Sequence, residues 1–246
     1  MSPESLAAMF APQYQPDPRV PGIGLAFFRQ SIGGVEIVGH QGTHPGFHSQ
    51  LLLAPSQKIG VVAFTNGAAG PDFWLPTAAA AILADELGVE PHHLRTDLPL
   101  RPEVWPLLTG WYSLPARLTD TRLRGMIGAG AEVFVADGRL RLRFLTPIPQ
   151  LLRGFVLHPD DPDDALVFRA DLGVDGMAPM RFLFTADEGT ATALLLEAMP
   201  LVLPRRPDAS NPRRWASTAL ATAGLVGFLR LVQHRPPTRS PGRNHD

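Results

Sequence analysis

The sequence predicts an α+β fold, in which a partial antiparallel sheet with packed helices is followed by an antiparallel β-barrel or sandwich. Residues 22–67 contain four short apolar runs, rich in β-branched and aromatic residues and separated by turn signals. An alanine-rich helical stretch follows at 71–88, and many short strands with clear alternation occupy 107–203. With 246 residues, 45% of them hydrophobic, the chain can bury a core of ordinary size.

The first domain is predicted over residues 1–88 and begins with a short helix at 3–10. Ser2-Pro3-Glu4 combines an N-cap, a first-turn proline and a first-turn acid, and Pro12 ends the helix. Four strands of an antiparallel meander and one longer helix follow, and we expect the helix to lie buried against the sheet, with Gly88 as its C-cap. The strands are predicted at 22–30, 35–40, 48–55 and 58–67, and the helix at 71–88.

A proline-punctuated linker at 89–106 separates this part from the second domain, 107–203. Asp137-Gly138 between two alternating runs indicates a hairpin turn. Seven or eight strands at this spacing are typical of a barrel or sandwich. The strands are predicted at 108–114, 131–138, 139–145, 150–158, 165–171, 179–187 and 190–197.

The C-terminal tail, 204–246, is basic and proline-rich around one apolar segment, 215–229. That segment is shorter than the roughly 20 residues of a membrane-spanning helix. It is either a packing helix or a membrane contact. Because residues 1–10 contain no secretory signal, the chain as written is expected in the cytoplasm, with peripheral membrane association through the segment or export within a longer parent as alternatives.

Charge and cysteine content exclude several classes of function. A formal net charge of -1 creates no broad positive field, so a nucleic-acid partner is not expected. The absence of cysteine excludes disulfides, thiolate zinc sites and a cysteine nucleophile. Lys58 is the only lysine in the chain.

The stretch HQGTHPGFHSQ, residues 40–50, places three histidines, His40, His44 and His48, at spacings of four. This spacing suggests a metal site, but Pro45-Gly46 interrupts any helix or strand that would align the rings. No aspartate or glutamate lies between positions 38 and 64 to complete a ligand set, so neither a metal nor a cofactor is expected. A second interpretation is a plain turn between two strands, which accounts for Pro45-Gly46 only.

A third interpretation comes from a resemblance. His40-Gln41-Gly42, then Pro45-Gly46-Phe47, then a strand ending in Thr65-Asn66 and an alanine-rich helix, together resemble the C-terminal part of the serine β-lactamase-like or penicillin-binding-protein-like family, across residues 1–88. This family includes class C β-lactamases, DD-peptidases and esterases. The resemblance implies a hydrolase sheet whose His-x-Gly strand borders the active site.

The resemblance also implies roles for three residues. His40 presents a polar or cationic group to the site, Gly42 lets the substrate approach the backbone, and the Thr43 N–H is one donor of the oxyanion hole. Gln41 departs from the family, which often has a hydroxyl residue there that binds a substrate carboxylate.

The motifs that supply the nucleophile and the proton transfer in this family are missing. Pro55 stands three positions before Lys58, so the chain has no Ser-x-x-Lys, and neither Tyr14 nor Tyr112 begins a Tyr-x-Asn. We therefore predict a C-terminal fragment or truncated homologue that is inactive alone. Ester, β-lactam or peptide substrates belong to the parent family, and the expected partners are a second copy of this chain or a complementing N-terminal chain, since an incomplete sheet exposes an edge and an apolar face.

A different class of function rests on the second domain. Leu108-Thr109-Gly110-Trp111-Tyr112 weakly resembles the first strand of the lipocalin-like β-domain that many β-lactamase-like esterases carry. A generic barrel in which Trp111 and Tyr112 only pack is the other interpretation. The alternative to a hydrolase fragment is therefore a non-catalytic ligand-binding or regulatory module that uses the barrel.

Overall fold

The computed structural model describes residues 1–68, 74–91, 93–115, 124–125 and 127–215. Residues 1–206 form one compact unit that contains a four-stranded and a nine-stranded antiparallel sheet, each with its own hydrophobic core. The mixed α+β class is therefore confirmed. The division into domains at 89–106 stays a prediction, because contacts join both sheets within this one unit.

Helix α1, Pro3–Phe10, has the predicted bounds. The Ser2 hydroxyl accepts a hydrogen bond from the Ser5 N–H at 3.2 Å, as an N-cap does. The stretch after the helix, up to Phe27, forms isolated bridges in place of the expected strand from residue 22. Polar contacts to carbonyls of this stretch replace a strand ladder, such as that from the Arg29 guanidinium to the Pro21 oxygen at 2.8 Å.

The first sheet has the strands β1 (Phe28–Ile32), β2 (Val35–His44), β3 (Gly46–Ala54) and β4 (Ile59–Ala68), in that order. The Gly33-Gly34 turn between β1 and β2 has positive φ at both glycines, 56° and 82°, which suits a tight hairpin. The expected four-residue turn after β2 is shorter in the structure. β2 continues through His44, and the chain reverses over Pro45 and Gly46, where Gly46 has φ +80°.

Helix α2, Trp74–Leu87, packs on one face of this sheet against β3 and β4. Alanine at the contact lets the helix approach closely, and Gly88 ends it as predicted. The Gly88 N–H bonds to the Asp85 oxygen at 3.0 Å, and the Val89 N–H bonds to the Ala84 oxygen at 3.0 Å. The buried residues of this core are Ile32, Ile37, Leu52, Ala54, Ala79, Leu83 and Ala84.

The predicted linker is partly helical. It includes a short 3-10 helix, Pro102–Val104, followed by α3, Trp105–Leu108. The strand expected from residue 108 therefore begins only at Gly110. Each of these two short helices has a proline near its start, and the fixed φ of proline favours a helix at these positions.

The second sheet is a nearly closed barrel in which strands that follow one another in the chain also lie side by side in the sheet, apart from the two edge strands. Its edge strands β8 and β9 are separated only by Leu157, and β13 pairs with β5 on the opposite side. Helix α4, Pro149–Arg153, replaces the first half of the strand expected at 150–158. The strands are β5 (Gly110–Ser113), β6 (Gly130–Ala136), β7 (Arg139–Phe144), β8 (Phe155–Val156), β9 (His158–Pro159), β10 (Val167–Ala170), β11 (Met180–Asp187), β12 (Thr190–Leu196) and β13 (Leu201–Arg206).

Aromatic side chains fill the barrel interior. Tyr112 and Phe184 are fully buried with ring centroids 5.7 Å apart, and Phe144, Phe155 and Phe182 contact one another at 5.8–6.5 Å. The Tyr112 hydroxyl donates to the Leu108 oxygen at 2.7 Å, and burial raises the pKa of this phenol. A ligand would have to displace these rings to enter.

The N-terminal segment covers part of the barrel exterior. Val20 packs on outward-facing side chains of three strands, and the Arg19 guanidinium bonds to Asp17, to Asp164 and to the Phe184 oxygen at 2.8–3.0 Å. The hydrogen bond from Arg19 lowers the pKa of the Asp17 carboxyl. These contacts attach the N-terminal segment to the outer surface of the barrel.

β13 extends to Arg206, so residues 204–206, assigned to the tail by sequence, belong to a barrel strand. The predicted apolar segment 215–229 lies outside the described residues apart from Trp215. Among the described residues, no helix is both long and apolar enough to cross a membrane.

A buried ion pair on the barrel exterior offers a test of the packing. Arg169 and Asp160 have side chains only 5% and 8% exposed and are 2.8 Å apart. Asp160→Ala leaves the buried Arg169 guanidinium without its carboxylate and also removes the contact of Asp160 with Arg181 at 3.1 Å, so we expect a loss of about 3–5 kcal/mol in the free energy of unfolding. Urea denaturation measures it. Asp97→Ala, which breaks the solvent-exposed pair with Arg95, is the control and should change little; equal losses would contradict the buried pairing.

Candidate functional site

The sheet face opposite α2 carries most of the residues singled out by sequence. Ile37 on β2 and Leu52 on β3 belong to the core beneath α2. Since side chains alternate along a strand, the even residues of β2 and the odd residues of β3 point to the other face. We call this the open face; it is defined by His40, Gly42, Ser49, Val62 and Phe64.

Strand register arranges the open face in rows across the sheet. Gly42 on β2 lies opposite Ser49 on β3, which lies opposite Phe64 on β4. A second row, about 7 Å away along the strands, contains His40, Leu51 and Val62. Gly42 is therefore the low point of a surface whose neighbours are all larger.

A shallow cleft of about 520 Å³ lies at the turn end of these strands. It includes two of the three predicted site residues, Gly42 and Thr43, whereas His40 stands one row away, with its ring 6.0 Å from the Phe28 ring. The residues that line it are Gly42, Thr43, His44, Phe47, His48, Ser49, Phe64, Thr65 and Asn66.

The backbone of Thr43 faces an unpaired strand edge. β1 begins at Phe28, opposite Gly39, so beyond that point β2 is paired only with β3. His44 pairs with Phe47 across a two-residue turn, which makes them a hydrogen-bonded pair. By alternation Gln41 and Thr43 direct their N–H groups away from β3, and no other described backbone group bonds to either.

The histidines do not converge. His40 and His44 lie on the open face, but His48 lies opposite Thr43 on the other face and is only 9% exposed. Within the described residues, no group of three histidine or acidic side chains is placed to share a metal ion. His44 and His48, to which the sequence assigned no chemistry, nevertheless line the cleft.

Ser49 and Phe64 are parts of the cleft that sequence reasoning missed. Their signal was present in the register, because counting back from the Pro45-Gly46 turn places Ser49 opposite Gly42. In the described part of the chain, the Ser49 hydroxyl makes no hydrogen bond to a histidine. Among the described residues, none is therefore placed to activate it as a nucleophile.

No family model and no curated protein matches this sequence. Among solved structures it is similar to SurE with D-Leu (21% identity, 83% of this chain and 44% of that one, TM-score 0.46) and to SurE (20%, 83% and 43%, 0.46). A third is the octameric penicillin-binding protein homologue from Pyrococcus abyssi (21%, 82% and 42%, 0.33). The chain spans less than half the length of these structures. Similarity that covers less than half of each matched structure does not establish the function of this chain.

Two glycines of β2 should respond differently to an added methyl group. At Gly39 a Cβ would lie 2.4 Å from the Leu51 backbone oxygen, so Gly39→Ala should cost about 1–3 kcal/mol. At Gly42 the only close atom is the Ser49 Oγ, 2.5 Å away, which can rotate. We expect Gly42→Ala to cost clearly less in thermal or urea unfolding, and Ser49→Ala to remove what remains. A larger loss at Gly42 than at Gly39 would refute this geometry.

A proline pair tests the unpaired edge. Thr43→Pro removes an N–H without a ladder partner, whereas His40→Pro removes one that bonds to β3. Both prolines restrict φ in the same strand, so the difference isolates the hydrogen bond. We expect His40→Pro to be the less stable protein by at least about 1 kcal/mol in urea unfolding. Equal stabilities would show that the Thr43 N–H is paired.

Proposed function

We propose that this chain is the C-terminal portion, as a fragment or truncated homologue, of a β-lactamase-like serine hydrolase. In this proposal the open face is one wall of an acyl-transfer cleft, and the nucleophile comes from a part of the enzyme that this chain lacks. The chain alone is then inactive.

One observation carries the proposal: the Thr43 N–H lies at an unpaired edge next to Gly42, the low point of the open face. Acyl transfer requires a donor aimed at the developing oxyanion and a backbone that the substrate can reach. Gly42 owes its lack of a side chain neither to a positive φ nor to backbone crowding. Packing therefore does not explain a glycine at position 42, whereas the need for a substrate to reach the strand backbone does.

His40 supports the proposal in a more limited way. It lies on the same face as Gly42, one row away, and its side chain is exposed. If another domain covered the open face and carried the nucleophile, a polar group at position 40 would lie close to that nucleophile. Val62 and Phe64, which are 59% and 77% exposed, give that face the apolar character of a surface that another chain or domain covers.

The packed barrel interior gives less support to the alternative, a ligand-binding module. Its central space holds the rings of Tyr112, Phe144 and Phe182. A complementing N-terminal chain or a second copy remains the proposed partner of the open face.

Intact-mass spectrometry tests the proposal directly. Because Ser-x-x-Lys is absent, the purified chain incubated with a penicillin or an activated ester should show no acyl adduct and no turnover. The coding DNA upstream of Met1 should contain a Ser-x-x-Lys reading frame, joined or frameshifted. An adduct on the chain itself, or unrelated upstream sequence, would contradict the proposal.

In the enzyme assembled from both parts, Thr43→Pro should lower kcat by about 10²- to 10³-fold, as expected for loss of an oxyanion donor. Gln41→Pro is the matched control, because it removes the other unpaired N–H of the same edge. Equal losses for the two variants would argue that the edge is merely structural.

A further inference from the structure

We infer that the cleft takes uncharged aromatic acyl compounds, such as aryl or arylacetyl esters, and rejects the free carboxylate that β-lactams and peptide C-termini carry. This substrate class rests on the proposed function, since it concerns the same site.

The cleft lining contains no formal charge. Its described residues are glycine, serine, threonine, asparagine, phenylalanine and histidine, with no lysine, arginine, aspartate or glutamate. A carboxylate bound here would lose water without gaining a permanent cation.

Two basic residues of this sheet and its turns, Lys58 and Arg29, are placed or engaged elsewhere. Lys58 stands in the turn after β3, and Ala54 at the start of that turn lies five residues along the strand from Ser49, roughly 17 Å away. The Arg29 guanidinium is held by the Pro21 oxygen and by Glu36 at 2.7–2.8 Å.

Gln41 does not restore carboxylate binding. It pairs with Gln50, and alternation places both on the face opposite Gly42. Gln41 is also not among the residues that line the cleft. Gln41 thus departs from the family in residue type, and it is also not placed to bind a substrate carboxylate in the cleft.

Aromatic side chains instead flank the low point of the cleft. Phe64 ends the row of Gly42 and Ser49, and Phe47 lies on β3 in the next row toward the turn, 59% exposed. Covering these rings with an aromatic group removes apolar surface from water. The Ser49 hydroxyl and the Thr43 N–H are neutral donors, which suit an ester carbonyl.

A matched pair of probes tests this inference on the full chain by titration followed by ¹H–¹⁵N NMR. Methyl phenylacetate and phenylacetate share the ring and differ in charge. At about pH 8.5, above the range in which imidazoles ordinarily titrate, the ester should perturb the Gly42, Thr43 and Ser49 amides. Phenylacetate should bind there at least about tenfold more weakly, because its charge is desolvated without a partner.

Phe64→Ala should weaken ester binding several-fold. Val135→Ala, which removes an exposed apolar side chain from β6 of the barrel, away from the open face, is the control and should leave binding unchanged. Phenylacetate binding as tightly as the ester, an ester that perturbs no cleft amide, or equal effects of the two variants would each overturn the inference.

The outcomes separate this inference from the proposed function. Acylation of the assembled enzyme together with a preference for the carboxylate refutes the substrate class alone. Ester preference together with an assembled enzyme that never acylates refutes the hydrolase proposal and leaves the binding preference standing.

Discussion

The pairing of β2 with β3 is the constraint on which the candidate site depends. Side chains alternate along a strand, so a slip of one residue would turn His40 and Gly42 toward α2 and bury them. Two features hold the register. The Pro45-Gly46 turn, with Gly46 at φ +80°, sets which residues face each other at one end. Burial of Ile37 and Leu52 beneath α2 sets it at the other.

The same register also determines what the cleft can do chemically. It leaves Thr43 with an outward N–H, since β1 does not reach that far along β2. It places Ser49 and Phe64 in the row of Gly42, which makes the cleft neutral and partly aromatic. The donor and the rings are thus consequences of strand lengths. A nucleophile is not among them, so the proposed hydrolase would need one from another part of the enzyme.

Much of the fold was predictable because its local signals agree with its packing. The Ser2 cap, the Gly33-Gly34 turn and the Gly88 stop each satisfy a local backbone requirement, and the structure places all three where the sequence indicates. The differences arise where tertiary contacts decide. Leu151 is buried in the barrel core from a helix, Pro149–Arg153, where the sequence predicted a strand. β13 was missed because Pro204, which lies within the strand, argues against a strand at the sequence level.

The sequence by itself determined the residue types of the site, the turn that reverses the chain beside it, and the absence of Ser-x-x-Lys, because each is a property of neighbouring positions. Only the tertiary structure decided that His48 faces away from His40, that Phe64 lies beside Ser49 in the row of Gly42, and that β1 stops short of Thr43 and leaves its N–H without a ladder partner. The physical reason is that pairing between strands depends on where each strand starts and ends, which hydrophobic packing and turn geometry settle together.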